Sequence, residues 1–438
     1  MANSNLSNDL TSFKRRISDT TQSTQGSLEA CKQTEVEGGK HAWLTVAGSF
    51  LVYYASFGIV NSFGFFQDYY QQGLLKSTPP ATIALVGTVQ IALMNCLATV
   101  SGAICDMYGV KWLYIGSSIG TSGGLLALSF AQDGAFWQVF LSQGLLMGTA
   151  IGFGCQPALA VAGQHFRQRR ALAMGIVSAG CGAGGVCFPI MLGKLVVAVG
   201  FTWTLRLAAL KVMVCYGLAI GLSTSKHTAQ AVSSKWRTLL DFQGFRDRRY
   251  AVLCAGAWLV QLGLFAPTYY IQSYCASIYP TTNLKAYLVA LINAAGILGG
   301  ILGGFAGDTF GRLNILYPSA LILGTLCLTL WLFEQSLQVL IIFVCLYGFF
   351  GGVWGALLPP VISQISPNEH MGARIGAFYS IIAVASLIGS PIGASLMGEK
   401  NKEGYRWLIV FGGGVMALGS VVLFVGRVLH GSDLRARW

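Results

Sequence analysis

The sequence GFAGDTFGR, residues 304–312, joins two long apolar runs through a very short turn. The stretch GAICDMYGVK, residues 102–111, has the same pattern, and its Asp106 and Gly109 lie 202 positions before Asp308 and Gly311. Glycine permits close approach and a positive φ in such turns, and a carboxylate can receive backbone N–H groups or a neighbouring cation. Each stretch therefore predicts two helices joined by a tight turn.

The composition around these turns shows that water is the wrong solvent for most of the chain. Of the 438 residues, 54% are hydrophobic and 10% are charged, whereas about a quarter of a typical soluble domain is charged. A membrane-spanning helix needs about 20 mainly apolar residues. Runs of this kind predict twelve spans, at residues 43–66, 83–105, 112–131, 135–163, 171–197, 202–222, 251–275, 285–306, 313–334, 337–363, 374–397 and 405–428.

These runs predict an all-α membrane protein with twelve transmembrane helices in two six-helix halves. A transmembrane β-barrel is excluded because its strands are alternating segments of about 10 residues rather than long continuous runs. Polar segments divide the chain into five parts. We expect a disordered cytoplasmic tail at 1–40, an N-terminal bundle at 41–222, a cytoplasmic linker at 223–250, a C-terminal bundle at 251–428 and a cytoplasmic tail at 429–438.

The net charge of +12 reports topology rather than nucleic-acid binding. Membrane insertion leaves Lys and Arg mainly on the cytoplasmic side. Most of the 28 Lys and Arg fall in the segments that are cytoplasmic if the N-terminus lies inside. We therefore expect both termini in the cytoplasm, the plasma membrane as the location, and no nucleic-acid partner.

The two halves repeat one another. Five landmarks recur at nearly one offset: Asp106 with Asp308, Pro157 with Pro359, Pro189 with Pro391, Gly175 with Gly376, and Trp203 with Trp407. Duplicated bundles are common in membrane transporters, where the site lies at the interface between the repeats. The offset predicts two parallel repeats of the same topology.

The predicted spans lack the residue patterns that catalysis or metal binding would need. The 11 Cys have no metal-ligand spacing, and no nucleotide-binding P-loop is present. A membrane enzyme would need paired acids or His clusters within the spans, and the five His all fall at helix ends or in loops. The sequence therefore predicts a protein that is not an enzyme and uses no metal, no cofactor and no direct ATP hydrolysis.

The two turn motifs resemble the loop signature of the major facilitator superfamily. Further stretches are similar to the fungal branch of its monocarboxylate-transporter family; they are EGGKHAW at 37–43, NSFGFFQDYY at 61–70, RRALAMG at 169–175, GFTWTLR at 200–206 and PTYYI at 267–271. In the proton-coupled members of that family, a Lys in span 1 and an Asp and an Arg in span 8 handle the proton and the carboxylate. At the matching positions this sequence has Asn61, Gly296 and Gly300.

The resemblance implies a secondary transporter that works by alternating access, with a midplane cavity between its halves. Because the three ionisable groups are replaced, we favour export of a fungal secondary metabolite, with proton-coupled uptake of a monocarboxylate or vitamin as the alternative. The expected partners are the lipid bilayer and a small organic substrate, for which an anionic compound is one candidate. We expect a monomer, and proton coupling stays open.

Ionisable groups within spans are functional candidates by default. Arg206 and Lys211 meet this criterion in span 6, although Arg206 could instead extend to the headgroups, and no acidic side chain is assigned to a span as a partner for Lys211. The candidate substrate-binding set is Lys211, Arg206, Asn61, Asn293, Tyr270 and Trp354.

A second set of residues is expected to hold the cytoplasmic side closed. We expect Asp308 to face the start of span 5 near Arg170, and Asp106 to face the start of span 11 near Arg374. The set is completed by Gly109, Gly311 and Arg312 of the turns.

Overall fold

A computed structural model describes residues 38–224, 247–282, 284–366, 371–397 and 402–430. Its first half contains six helical segments. They are α1 (Lys40–Asn61, continued by Phe63–Tyr69 and a π-helical turn at Tyr70–Leu74), α2 (Pro80–Cys96 and Ala98–Tyr108), α3 (Lys111–Leu128), α4 (Phe136–Val139, a π-helical segment at Phe140–Met147 and Gly148–Gln164), and the long helix Arg170–Leu222, which we divide into α5 (170–199) and α6 (201–222).

The second half repeats this order. Its helices are α7 (Arg248–Ile278), α8 (Leu288–Phe310, preceded by a 3₁₀ turn at Leu284–Tyr287), α9 (Arg312–Leu326, with a π-helical turn at Cys327–Trp331), α10 (Leu337–Gln364), α11 (Met371–Met397) and α12 (Lys402–His430). The all-α fold class is confirmed, and each predicted span corresponds to one of the twelve segments. The predicted tail and linker fall largely on 1–37, 225–246 and 431–438, which lie outside the described residues.

Within the described residues, nine helices are long and apolar enough to cross a membrane. One of them, Arg170–Leu222, has 53 residues and contains two predicted spans. The break between α5 and α6 is Gly200, whose φ of 78° interrupts the helical backbone. A positive φ of this kind is inexpensive for glycine alone, so this residue lets the chain reverse direction with no separate loop.

The two turns that opened the sequence analysis have the predicted geometry. Gly109 has a φ of 78° between α2 and α3, and Gly311 has a φ of 100° between α8 and α9. The N–H of each glycine also closes the preceding helix, on the carbonyls of Cys105 and Gly307 respectively. We call the end of the bundle that carries these turns the turn end, and the other end the far end.

From Lys40 onward, the described helices form one compact unit. Hydroxyl groups tie the first half together: Tyr216 of α6 shares 2.7 Å hydrogen bonds with Ser56 of α1 and with Ser117 of α3. Most of the described contacts between the halves run along two lines, α5 against α8 and α2 against α11, and α10 also contacts the α5–α6 helix. These two seams position the candidate site.

Candidate functional site

The α5–α8 seam is built from glycines whose backbones touch. A Cβ added to Gly175 would lie 2.5 Å from the carbonyl oxygen of Gly300, and one added to Gly304 would lie 2.5 Å from that of Ala171. Small residues let membrane helices approach this closely, so that van der Waals packing holds them together. The glycines of α5 and α8 therefore act as a matched pair of surfaces.

Asp308 closes the turn end of this seam. Its carboxylate accepts hydrogen bonds from the backbone N–H groups of Ala171 (3.0 Å) and Leu172 (2.8 Å), so it caps the amino end of α5 from the opposite half. Free N–H groups and the helix dipole make that end favourable for an anion. Arg312 pairs with the same carboxylate at 3.0 Å.

Two arginines fasten the loop before α5 to the second half. Arg312 donates from Nη2 to the carbonyl of Arg167 at 2.9 Å. Arg170 is buried, donates from Nε to the carbonyls of Gly163 and Phe166, and donates from Nη1 to Ser363 of α10 at 3.3 Å. Asp308 thus meets the backbone just after Arg170, while the guanidinium group points to α10.

The α2–α11 seam combines one glycine contact with hydroxyl groups. A Cβ on Gly376 would meet the backbone of Ala98 and Thr99. Thr99 Oγ1 and Ser380 Oγ are 2.7 Å apart, and Ser380 also donates to the carbonyls of Asn95 and Cys96.

The predicted contact of Asp106 with the start of α11 falls on side chains that are not described. Arg374 itself donates to the carbonyl of Ile365 at 3.2 Å and lies 6.0 Å from the Tyr250 ring. The position of Asp106 relative to Arg374 therefore stays a prediction.

Two candidate residues from opposite halves meet beside Gly185 of α5. A Cβ added there would lie 2.8 Å from Nδ2 of Asn61 and 2.9 Å from Cγ of Asn293. Both amides are half-buried; Asn61 donates weakly to Cys181 Sγ (3.7 Å), and Asn293 donates to the Val289 carbonyl (3.0 Å). The missing side chain at position 185 is what admits the amide pair.

Backbone lies beside Gly296 and Gly300, the two positions at which the resemblance would place an Asp and an Arg. A Cβ on Gly296 would be 3.3 Å from the carbonyl oxygen of Gly348, and one on Gly300 would be 3.4 Å from that of Gly175. A Cβ at Gly300 would make an ordinary van der Waals contact, and one at Gly296 would require its neighbour to shift by a few tenths of an ångström. The two glycines therefore let α8 pack closely on α5 and α10.

Lys211 lies at the edge of an exposed apolar surface of α6. Its Nζ is 4.2 Å from the Phe188 ring centroid and 4.9 Å from that of Tyr54, and 3.6 Å from Met191 Sδ. Its neighbours along the helix face are exposed apolar side chains: Leu207, Val214 and Leu218. Aromatic faces stabilise a cation by about 0.5–2 kcal/mol, so this cage explains how an ammonium is tolerated there.

Arg206 has a comparable aromatic setting. Its guanidinium lies 5.0 Å from the Trp203 ring centroid and 5.2 Å from that of Phe130. Both rings are more than half exposed, as is typical of aromatic residues at a membrane interface. This arrangement supports the alternative in which Arg206 extends to the headgroups.

The two aromatic candidates differ in accessibility. Tyr270 of α7 is half-buried and packs against the core. Trp354 of α10 is only 1% exposed, so in this conformation its ring packs between helices. Trp354 would reach a substrate only if the helices around it moved.

The sequence analysis missed two buried charges. Glu334 ends the ninth predicted span and is 2% exposed, so the absence of acids from the spans was wrong at that position. Arg427, which lies inside the twelfth predicted span but was not among the candidates, is fully buried and donates to Asn314 Oδ1 at 2.6 Å. The sequence signal that could have identified both residues is their position within predicted apolar spans. In the described part of the chain, no three His, Cys, Asp or Glu side chains form a group suited to a metal ion.

Comparison with known proteins agrees with this architecture. The human organic anion transporter MFSD10 (TETRAN) has a similar structure, with a TM-score of 0.69 and 16% identity over 88% of this chain and 99% of that one. The agnestins efflux protein AgnL12 of Paecilomyces divaricatus is 34% identical, covering 91% of this chain and 90% of its own. The fujikurins efflux protein of Gibberella fujikuroi is 31% identical, covering 93% and 87%.

The sequence model of the Major Facilitator Superfamily matches twice, at residues 45–296 and 281–435. Together, the two matches cover both halves of the chain, each of which carries one of the repeated turns. The chain belongs to the Major Facilitator Superfamily.

Proposed function

We propose that this protein exports a small organic molecule, a fungal secondary metabolite, by alternating access. The observation that carries the proposal is the amide pair: Asn61 and Asn293 come from opposite halves and meet at Gly185. A substrate bound there would touch both halves at once. Relatives that are similar over nine-tenths of this chain are named as efflux proteins for agnestins and fujikurins, which favours export over uptake.

The seams suggest how the turn end would open. In the conformation described here, Asp308 caps α5 across the interface, and Arg170 reaches Ser363. Loading from the cytoplasm would require these contacts to separate, since they join the two halves. Substrate binding at the amide pair would then favour the conformation in which they reform.

The chemistry at the amide pair supports recognition of neutral polar groups. Each Asn offers both a donor and an acceptor, and the family's charged positions are glycines. Lys211 stays a proposed ligand for an acidic substrate, which would have to approach it from the lateral side of α6. The narrower membership of the monocarboxylate branch is an expectation from the motifs and does not decide the cargo.

The experiment that tests export is deletion of the gene in the source organism. We expect one metabolite, or a few related ones, to disappear from the medium and accumulate in the cells, measured by mass spectrometry of both fractions. A Gly351→Ala gene should restore secretion, because an added Cβ at this position meets nothing within 4 Å. Unchanged secretion of every compound, with loss of carboxylate or vitamin uptake instead, would support the alternative function.

We also propose a monomer in the plasma membrane with both termini cytoplasmic. The turn end then faces the cytoplasm. A cysteine placed at Gln230 of the linker should resist an impermeant thiol reagent in intact cells and react after permeabilisation. Strong labelling of intact cells would reverse the orientation.

A further inference from the structure

An open groove lies between α1 and α5 near the turn end of the first half. Its volume is about 390 Å³, within the range of about 300–1,000 Å³ that is usual for small-molecule sites. Apart from the indole N–H of one tryptophan, the lining offers no hydrogen-bonding side chain; it consists of Trp43, Val46, Ala47, Phe50, Leu51 and Ile176. The chemistry of the wall therefore suits a hydrocarbon chain.

The groove faces outward, away from the seam between the halves. On α5, Ile176 follows Gly175, which packs on Gly300 of α8, and successive residues of a helix point about 100° apart. Cys187, further along the same side of α5 as Ile176, is exposed, and so is Ala47 on the α1 side of the groove. A membrane lipid can therefore reach the groove from the side.

The length of the groove matches one leaflet of a bilayer. Its α1 wall extends from the turn of helix below Lys40 to Leu51. At 1.5 Å per residue, the helix covers about 16 Å between these two positions, and half of a hydrocarbon core is about 15 Å. An acyl chain that descends from the turn end would fill the groove and end near the bilayer midplane.

Two exposed cations stand at the head of the groove. Lys40 begins α1 three residues before Trp43, and Arg169 directly precedes α5, seven residues before Ile176. Side chains at these spacings share a helix face. The Trp43 ring lies 5.0 Å from that of Phe166, which brings the start of α1 to the loop that carries Arg169. The ion pairs of the described residues involve neither cation.

We propose that this groove binds one anionic phospholipid of the leaflet at the turn end. An acyl chain lies along the groove, and the headgroup lies between Lys40 and Arg169. Cytoplasmic leaflets carry anionic lipids such as phosphatidylserine, and basic pockets between helices on that side bind their headgroups, so this choice of lipid rests on the orientation proposed above. Trp43 suits the boundary between headgroup and chain, where indole rings are enriched.

Lipid binding to the purified full-length protein tests this proposal without any transport measurement, so its outcome is independent of the proposed export. Native mass spectrometry of the delipidated protein in detergent gives the dissociation constant of the first lipid bound. The two probes are phosphatidylserine and phosphatidylcholine with identical acyl chains. We expect phosphatidylserine to bind roughly 25-fold more tightly, because each nearby cation strengthens the binding of an anionic lipid about fivefold.

Two variants separate the headgroup contact from the chain contact. With Lys40→Gln and Arg169→Gln combined, phosphatidylserine should bind as weakly as phosphatidylcholine. Ala47→Phe fills the groove, so it should weaken the binding of both lipids roughly tenfold, the effect of about two buried methylene groups.

Matched controls should keep the wild-type affinities. Lys111→Gln combined with Arg248→Gln removes two exposed cations elsewhere at the turn end, and Ala127→Phe enlarges an exposed alanine of α3. Equal affinity of the wild type for the two lipids would overturn the site. A preference for phosphatidylserine that survives in the double variant of Lys40 and Arg169 would overturn it as well.

A phosphatidylserine with a photoreactive diazirine on its acyl chain locates the bound lipid. We expect cross-links in peptides that contain residues 43–51 or Ile176, and their loss in Ala47→Phe. Even labelling of all lipid-facing helices would contradict a specific site. An unlabelled groove would mean that residues 1–37 or a second copy of the chain cover it, which would also overturn the proposal.

Discussion

The two seams between the halves come from corresponding helices of a repeated sequence, yet they are held by different forces. Along α5–α8, backbone meets backbone at several glycines, and the turn end is closed by the carboxylate of Asp308 on two N–H groups. Along the described part of α2–α11, one glycine contact is followed by neutral hydroxyl bonds between Thr99 and Ser380.

The difference indicates that the repeats share topology but divide their tasks. Close glycine packing and a charge-assisted cap give a strong and geometrically demanding contact, because the hydrogen bonds form only when the helices are in register. Hydroxyl bonds contribute less and tolerate sliding. We therefore expect the α5–α8 seam to determine most of the free energy of closing the turn end. The α2–α11 seam should contribute less to this free energy and allow the helices to slide.

The largest effect should come from adding a methyl group to the α5–α8 seam. In Gly304→Ala the new Cβ meets the backbone of Ala171 and Leu172, which cannot move aside as a flexible side chain does. Overpacking costs about 1–3 kcal/mol, so we expect transport to fall about 5- to 100-fold while the protein still reaches the membrane. Gly351→Ala is the matched control, since an added Cβ there meets nothing within 4 Å. Equal transport by the two variants would mean that this seam does not need to close.

The next effect concerns the cap. Asp308→Asn keeps the shape but removes the charge that favours the amino end of α5 and the pair with Arg312. Losing a charge-assisted cap costs about 1–2 kcal/mol, so we expect roughly tenfold slower transport. Accessibility of a cysteine placed at Ser363, which contacts Arg170 of the other half, should rise in parallel. Unchanged transport in both Asp308→Asn and Asp106→Asn would remove the gating role of the turns.

A smaller effect is expected outside both seams, at Lys211. If an acidic group of the cargo binds this ammonium, Lys211→Met should weaken transport of an acidic substrate several-fold, the value of a partly desolvated charge contact, and leave a neutral analogue almost unchanged. Arg206→Met, whose side chain packs on Trp203 and Phe130, should affect both substrates slightly and equally. Equal losses for both substrates in Lys211→Met would make the cage of Tyr54 and Phe188 a purely structural contact.

The smallest effect should be found in the α2–α11 seam. Ser380→Ala removes the hydroxyl bond to Thr99, and such bonds in membrane proteins average about 0.6 kcal/mol. We expect transport to change by about threefold or less. A double-mutant cycle with Thr99→Val measures the coupling between the two side chains directly. A loss of transport as large as that in Gly304→Ala would show that the two seams contribute similar free energies to closure.

Much of this architecture could be predicted from residue order alone. Long apolar runs require helices, because in lipid each backbone polar group must be satisfied within its own segment. The repeated turns required glycine at 109 and 311, and both have the expected positive φ. The repeat also predicted that Asp308 would meet the start of α5. It could not say whether the partner would be the backbone or the Arg170 side chain.

Other features depend on three-dimensional packing. Asn61, Gly185 and Asn293 are far apart in sequence, and their meeting depends on how α1, α5 and α8 cross. The sequence placed Lys211 within span 6 but could not show that it shares a face of α6 with the exposed Leu207 and Val214. It also treated Glu334 as the end of an apolar run, although two tyrosines bury it. Hydropathy fixes which segments enter the membrane, whereas the environment of each charge is decided by side chains that distant helices bring to it.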